Sequence, residues 1–294
     1  MLCWGDSMKF DREVHEAYQQ AHALAMRYQT KAIKYKLPNY PVALNTMMED
    51  RMVSYRQDLG TMDIPTNLIV GVADTTDNSM LYTKEFHPIS IPQSDFADHW
   101  RDIFYQYSKK HDIAGQIQCY EYLGKFYVVD GLIRVSVLKF LKTPTIRSQV
   151  IRIMPFKTDS KDIGQYFDFL CQFQLTGLYQ LQFTNKGYFE KLQKALGYAC
   201  GHQWTDGDRA NFLTAWVEIE KAYCKAYGEC LHITIADALV VLLEKYTFEQ
   251  IKNMQPWVLT RLFQMFWKQL YDLSFPGETA QAKQFPPKTI LQTA

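Results

Sequence analysis

The chain has no surplus of either charge: among its 294 residues, 32 Lys and Arg stand against 31 Asp and Glu. Without a basic excess there is no global field to gather a polyanion, so a purely electrostatic nucleic-acid binder is disfavoured and only a local basic patch remains as a route to phosphate. Long apolar runs are missing as well. No stretch approaches the roughly 18 apolar residues that a membrane helix requires, and Met1-Leu-Cys-Trp-Gly-Asp6 is too short and too polar for a signal peptide. A cytoplasmic protein with no membrane contact is therefore expected. The six cysteines show no Cys-x-x-Cys spacing, which fits reduced thiols rather than a disulfide frame. Cys200, His202, Cys224, Cys230 and His232 are of zinc-binding type, but their spacing matches no standard finger, so cysteines on packed helices are expected and no metal is assigned. His87, His99 and His111 are read as surface or capping groups, since none belongs to a recognisable pair of base and nucleophile.

What is present is apolar and aromatic. Hydrophobic residues make up 47% and aromatics 15%, enough for a sizeable core, and the aromatics sit mostly at helical intervals. Residues 9–35 read as one amphipathic helix through Phe10, Val14, Ala21, Ala25 and Tyr28, ended by Pro38 and Pro41. A second helical piece is read over 45–59, closing at Gly60. At 62–72 the period changes to that of a strand turning at Gly71. The polar loop after it contains Asp74 and Asp77, read as turn formers. Ser94 is placed as the N-cap of a helix over 94–110 with Trp100, Phe104 and Tyr107 on its apolar stripe.

The centre of the chain is 115–154. Phe126 to Val129 reads as a buried strand, Asp130-Gly131 breaks it, and Leu132, Val135, Leu138 and Leu141 open a helix. Thr143-Pro-Thr145 stops that helix, and Ile146 to Ile153, alternating with Arg147, Gln149 and Arg152, reads as another strand. A helix start leaves backbone N–H groups without intrahelical partners, and a glycine there lets an anion approach the main chain. Arg134 lies one turn into the helix and carries a planar fork suited to two phosphate or carboxylate oxygens, and Ser136 adds a hydroxyl. A purely architectural reading stands beside this one: Asp130 caps, Gly131 turns and Arg134 points to water.

These residues carry a resemblance. Gly-Gln-Ile-Gln-Cys-Tyr-Glu-Tyr (115–122), Lys-Phe-Tyr-Val-Val-Asp-Gly-x-x-Arg-Val-Ser-Val (125–137) and Thr-Pro-Thr-Ile (143–146) resemble the ParB and sulfiredoxin superfamily, and within it more closely bacterial ParB-like nuclease-domain proteins with Asp-Gly-His-His-Arg-Val-Ser-Val at the turn. Ile-Pro-Thr-Asn-Leu-Ile-Val-Gly (64–71) is a second point of likeness. In that superfamily the Gly-x-x-Arg turn and the segment before the strand form a phosphate site, used for nucleotide binding or for phosphoryl chemistry. The resemblance implies phosphate contacts at Gly131 and Arg134, with Gln116 and Ile117 in the place of the family's Gln-Pro-Ile segment. It also implies a nucleotide such as CTP, ATP or ADP with Mg2+, or DNA, as ligand, and a homodimer as the assembly. Where close relatives have two histidines, this chain has Leu132 and Ile133. Should catalysis occur, Asp130 and Glu121 are the nearest carboxylates to serve it.

Beyond Pro155 the pattern is helical: 166–175, 188–196, 208–227, 234–246, 248–254 and 256–273, with Thr205-Asp-Gly-Asp208 and Thr234-Ile-Ala-Asp237 as capping signals. The pair 236–246 and 248–254 invites a helix-turn-helix reading, although Lys252 is the only cation on the second helix. The expected fold is α+β, with a small mixed sheet over 62–157, helical regions over 1–61 and 158–273, and a loose tail over 274–294. The expected function is binding of a nucleotide or nucleic-acid phosphate by a DNA-associated ParB-like protein. The alternatives are a nuclease or phosphotransferase, and an interaction scaffold with a decayed site.

Overall fold

A computed structural model describes residues 4–48, 52–110, 115–227 and 231–277. The fold is α+β, and the chain divides into two compact units, residues 1–158 and 159–294.

The first unit is built on a six-stranded mixed sheet. Its strands are β1 (Val42–Ala43), β2 (Val53–Pro65), β3 (Ile69–Val72), β4 (Gln118–Tyr122), β5 (Lys125–Asp130) and β6 (Thr145–Pro155), in the order β1-β3-β5-β4-β6-β2. β3 runs parallel to β5 and β4 parallel to β6, while β4 and β5 form a hairpin and β2 lies antiparallel to β6. The helices are α1 (Trp4–Tyr35), the single turn α2 (Leu44–Met47), α3 (Asp95–Lys110) and α4 (Leu132–Phe140). Ser94 caps α3 as its residue type predicts, its Oγ accepting from the Ala97 N–H at 3.2 Å. Tyr18 of α1, Trp100 and Phe104 of α3, and Val137 of α4 share one buried cluster. At its centre the fully buried Trp100 ring donates from Nε1 to Ser136 Oγ at 3.0 Å.

The helix read over 45–59 is corrected. Only Leu44–Met47 is helical, and from Val53 onward the chain is a long edge strand, eleven of whose residues pair with β6. Ladder hydrogen bonds to a distant partner override the local preference of a polar segment. The strand read over 62–72 is also divided. Pro65 has no N–H to donate, β2 ends there, and a 3-10 turn over Thr66–Leu68 carries the chain to β3.

Between β3 and α3 the chain forms a loop whose Thr83 N–H donates to the His87 carbonyl at 2.9 Å. His87 is partly buried there. Burial first, and the cation of Lys139 second, push its pKa down from 6.5 to about 4. Lys139 itself lies over the Phe86 ring at 5.0 Å, held down to about 8 by burial, with Glu85 opposing. The unfolded chain takes up a proton at His87 near pH 6.5, whereas the folded chain stays neutral down to about 4. Stability contributed by this residue is therefore intact above pH 6.5 and is lost as pH falls toward 4. Thermal melts of wild type and His87→Gln at pH 7.5 and pH 5 should show a smaller acid loss in the variant. Equal losses would remove His87 as the cause.

The second unit is helical: α5 (Lys161–Thr176), α6 (Tyr188–Ala195), α7 (Asp206–Tyr227), α8 (Ile235–Leu243), α9 (Phe248–Lys252), α10 (Pro256–Met265) and α11 (Trp267–Ser274). Both predicted caps form. Thr205 and Asp208 exchange bonds at the start of α7, and Thr234 and Asp237 make a reciprocal capping box on α8. Trp204, Phe212, Trp216 and Phe263 stand in its core. α9 has five residues; Phe248 and Ile251 are buried, and Lys252 Nζ bonds to Asn211 Oδ1, which leaves one short turn where a groove-reading helix would be needed. Among the described residues no helix is long and apolar enough to cross a membrane. His111, Cys230 and the tail beyond residue 277 lie outside the described residues.

Candidate phosphate site

Strand β5 ends at Asp130, and Gly131 takes the left-handed conformation, φ 93° and ψ 24°, as the residue before α4. A side chain there would be strained, and it would also be crowded: an added Cβ would lie 3.0 Å from Ile117 Cγ1 and 3.3 Å from Ile117 Cα, so Ile117 would have to give way by a few tenths of an ångström. The turn is thus packed directly on the segment that enters β4. That segment is held from its other side by the Gln149 N–H, which donates to the Ile117 carbonyl at 2.8 Å.

Gly115 begins the segment with φ 95°, and it makes room for Arg134. A Cβ on Gly115 would fall 2.2 Å from Arg134 Nη2 and 2.6 Å from Cζ, so the guanidinium rests against bare glycine backbone. Arg134 and Leu138, four residues apart and on one face of α4, border a pocket of about 520 Å³. Its other walls are Gly115, Gln116 and Ile117 ahead of β4, Thr143 to Gln149 at the start of β6 (Pro144 apart), Thr61 and Asp63 from β2, and Tyr107 from α3.

Gln149 organises the β2 side. Its Nε2 donates to Asp58 Oδ1 at 2.8 Å, and its Oε1 accepts from Thr61 Oγ1 at 3.0 Å and, at the longer 3.4 Å, from Gln116 Nε2. Asp58 Oδ1 also accepts from the Gly60 N–H at 2.8 Å, beside the irregularity in β2 between Asp58 and Gly60. One amide therefore ties the edge strand to the segment that carries Gln116.

The structure brings Gln116, Ile117 and Arg134 to the pocket wall and leaves the other candidates off it. Ser136 is 1% exposed and its hydroxyl receives the Trp100 N–H. Two residues along a helix is a rotation of about 200°, so Ser136 faces α3 when Arg134 faces the pocket. Glu121 is fully buried in β4, where Oε2 pairs with Arg152 Nε and Oε1 accepts from the Gly124 N–H at 2.8 Å. Asp130 is exposed at the end of β5, opposite Gln118, and does not line the cavity. Gly131 shapes the wall through its contact with Ile117. Tyr107, read as part of an apolar stripe, is half-buried and borders the pocket instead.

Residues the sequence did not single out are Thr61, Asp63, Arg147 and Gln149. The polar alternation of Arg147 and Gln149 marks the open face of a strand, and Asp63 falls within the strand read over 62–72, but nothing local announces that Thr61 and Asp63 pair with Gln149 and Arg147 across β2 and β6. Among the described residues no three His, Cys, Asp or Glu side chains converge to hold a metal ion. His202 instead lies 3.2 Å from Asp208 and stacks on Tyr198. Hydrogen bonds from Thr205 and then from Tyr198 hold the Asp208 carboxyl well below the usual carboxylate range. No protein-family model matches this chain, and no curated protein matches its sequence.

Proposed function

We propose that residues 1–158 form a ParB/sulfiredoxin-like domain that binds a phosphorylated ligand, either a nucleotide or a nucleic-acid phosphate, in the pocket beside the Gly131 turn. The observation that carries this reading is the seating of Arg134 against Gly115 on the pocket wall. A guanidinium there offers a fork of donors beside a helix start, whose first-turn N–H groups carry partial positive charge. Thr61, Thr143 and Thr145, with the amides of Gln116 and Gln149, add neutral groups suited to phosphate or sugar oxygens. In this reading the protein is cytoplasmic and associated with DNA, and the ligand is CTP, ATP or ADP with Mg2+, or a duplex.

Bond cleavage has less support. Among the described residues Asp63 is the one carboxylate that lines the pocket, and it faces Arg147, while Asp130 and Glu121 lie off the wall. A nuclease or phosphotransferase would need an acid, base or metal ligand at the reacting atoms.

Titration calorimetry with CTP, ATP, ADP and a short DNA duplex, with and without Mg2+, tests the proposal. Hydrogen bonds to a charged group are worth about 1.5–3 kcal/mol, so Arg134→Ala should weaken binding by about 10- to 150-fold. Absence of heat with every ligand, or equal affinity in the variant, would move the assignment to an interaction scaffold.

A further inference from the structure

Strand β2 stands at one end of the sheet. Among the described residues β6 is its one strand neighbour, and no strand pairs with its outer edge. The ladder fixes where its backbone groups point. The Gln149 N–H donates to the Ile117 carbonyl ahead of β4, so odd-numbered residues of β6 turn N–H and C=O toward β4 and even-numbered ones toward β2. The Pro144 carbonyl, which accepts from the Thr66 N–H, has the same sense. Tyr55 and Gln57 stand opposite Met154 and Arg152 and therefore bond inward. Arg56 and Asp58 stand opposite Ile153 and Ile151 and turn both backbone groups outward.

The run Tyr55 to Asp58 is exposed throughout, and an exposed row of unpaired N–H and C=O groups is a template for another strand. Irregularities between Val53 and Tyr55 and between Asp58 and Gly60 bound the run. Because a bulge interrupts pairing, these four residues form the regular window open to an added strand.

The charges in that window select both the occupant and the register. When two copies pair antiparallel, a twofold axis passes beside one residue. An axis at Arg56 sets arginine against arginine, and one at Asp58 sets aspartate against aspartate. An axis at Gln57 instead sets Arg56 of each copy opposite Asp58 of the other, on one face of the sheet. The backbone agrees with this register, since Arg56 and Asp58 both face outward and each pair can exchange its two N–H···O=C bonds. Gln57 then meets itself, and an amide both donates and accepts. The side chains are free to turn: Arg56 Cζ lies 5.6 Å from the Tyr120 ring centroid, a weak contact at an exposed position. Asp58 accepts from Gln149 and from Gly60 on Oδ1, which leaves Oδ2 for a cation.

We propose that the outer edge of β2 is a homodimer interface, with Tyr55–Asp58 of two copies paired antiparallel about a twofold axis at Gln57 and Arg56 of each copy bonded to Asp58 of the other. The two sheets then run on as one. The same edge is used on both copies, so association stops at two.

Sedimentation equilibrium of the full chain at low salt tests this. Wild type should dimerise reversibly. Arg56→Glu and Asp58→Lys each put like charges at both pairs, and each should weaken self-association by at least about tenfold. An equimolar mixture of the two variants restores opposite charges at both pairs, so its components should associate with each other within about threefold of wild type. Melting curves show whether each variant folds. Should Asp58→Lys, which gives up the bonds from Gln149 and Gly60, fail to fold, Arg56→Glu decides by itself: loss of the dimer supports the interface, and wild-type affinity overturns it. The proposal is also overturned by a wild type that stays monomeric to about 1 mM, or by folded variants whose mixture associates no more tightly than either component.

Discussion

Replacing Glu121 by alanine should remove about 3–5 kcal/mol of stability from residues 1–158, because it takes the neutralising carboxylate away from a buried guanidinium. Glu121 is 0% exposed and Arg152 is 8% exposed, on neighbouring parallel strands whose register places them opposite each other. The carboxylate uses both oxygens, one for Arg152 and one for the Gly124 N–H at the β4–β5 hairpin. Deleting it takes from a buried guanidinium and a backbone donor the carboxylate they share, and either loss is expensive in the interior. Removing both charges is a different matter. The double variant Glu121→Met with Arg152→Met should recover most of the lost stability, since an apolar pair of similar volume replaces an ion pair that had to be desolvated. Urea denaturation of the wild type, the single variant and the double variant measures the cycle. A single variant within about 0.5 kcal/mol of wild type would show that the pair is not structural, and would return Glu121 to consideration as a catalytic carboxylate.

In residues 159–294 the corresponding position is Asp237, which is fully buried. Its carboxylate accepts from the Thr184 N–H at 3.1 and 3.2 Å and from Thr184 Oγ1 at 2.7 Å. The Thr234 N–H at 3.1 Å and Thr234 Oγ1 at 3.0 Å complete the set. Half of this is the capping box that starts α8; the other half fastens a loop 53 residues away in sequence to the same helix end. Asp237→Ala leaves the Thr234 cap on the backbone N–H of residue 237 but removes the reciprocal half of the capping box and takes the acceptor from the part-buried donors of Thr184 and Thr234, so a loss of about 3 kcal/mol is expected. Asp237→Asn keeps one acceptor oxygen and should lose about half as much. If alanine lowered stability by no more than a surface cap does, about 1 kcal/mol, the bond to Thr184 would contribute nothing. Guanidinium denaturation of the full chain, followed by tryptophan fluorescence, reads both variants.

The candidate site was partly legible. Gly131 and Arg134 could be found because a glycine between a β-branched run and a helical period marks a left-handed helix start whatever surrounds it. Ser136 was drawn in by closeness in sequence, though helical rotation turns it to the far side, where the indole of Trp100 claims its hydroxyl. Glu121 was drawn in for the same reason. Nothing near it in the chain announces Arg152, which meets it only through strand pairing.

By itself, the sequence determined what short-range chemistry controls. It fixed the caps at Ser94, Thr205 and Thr234, the break at Gly131, and the apolar stripes that make α1, α3 and the helices beyond Pro155. Each of these depends on a side chain and on backbone groups within about one turn of it. Tertiary structure decided the rest. Val53–Pro65 is a strand because β6 offers it a ladder, and the pocket exists because that ladder brings Thr61, Asp63, Arg147 and Gln149 to Arg134. Pairings between residues far apart in the chain are selected by the whole sheet, and no local pattern encodes them.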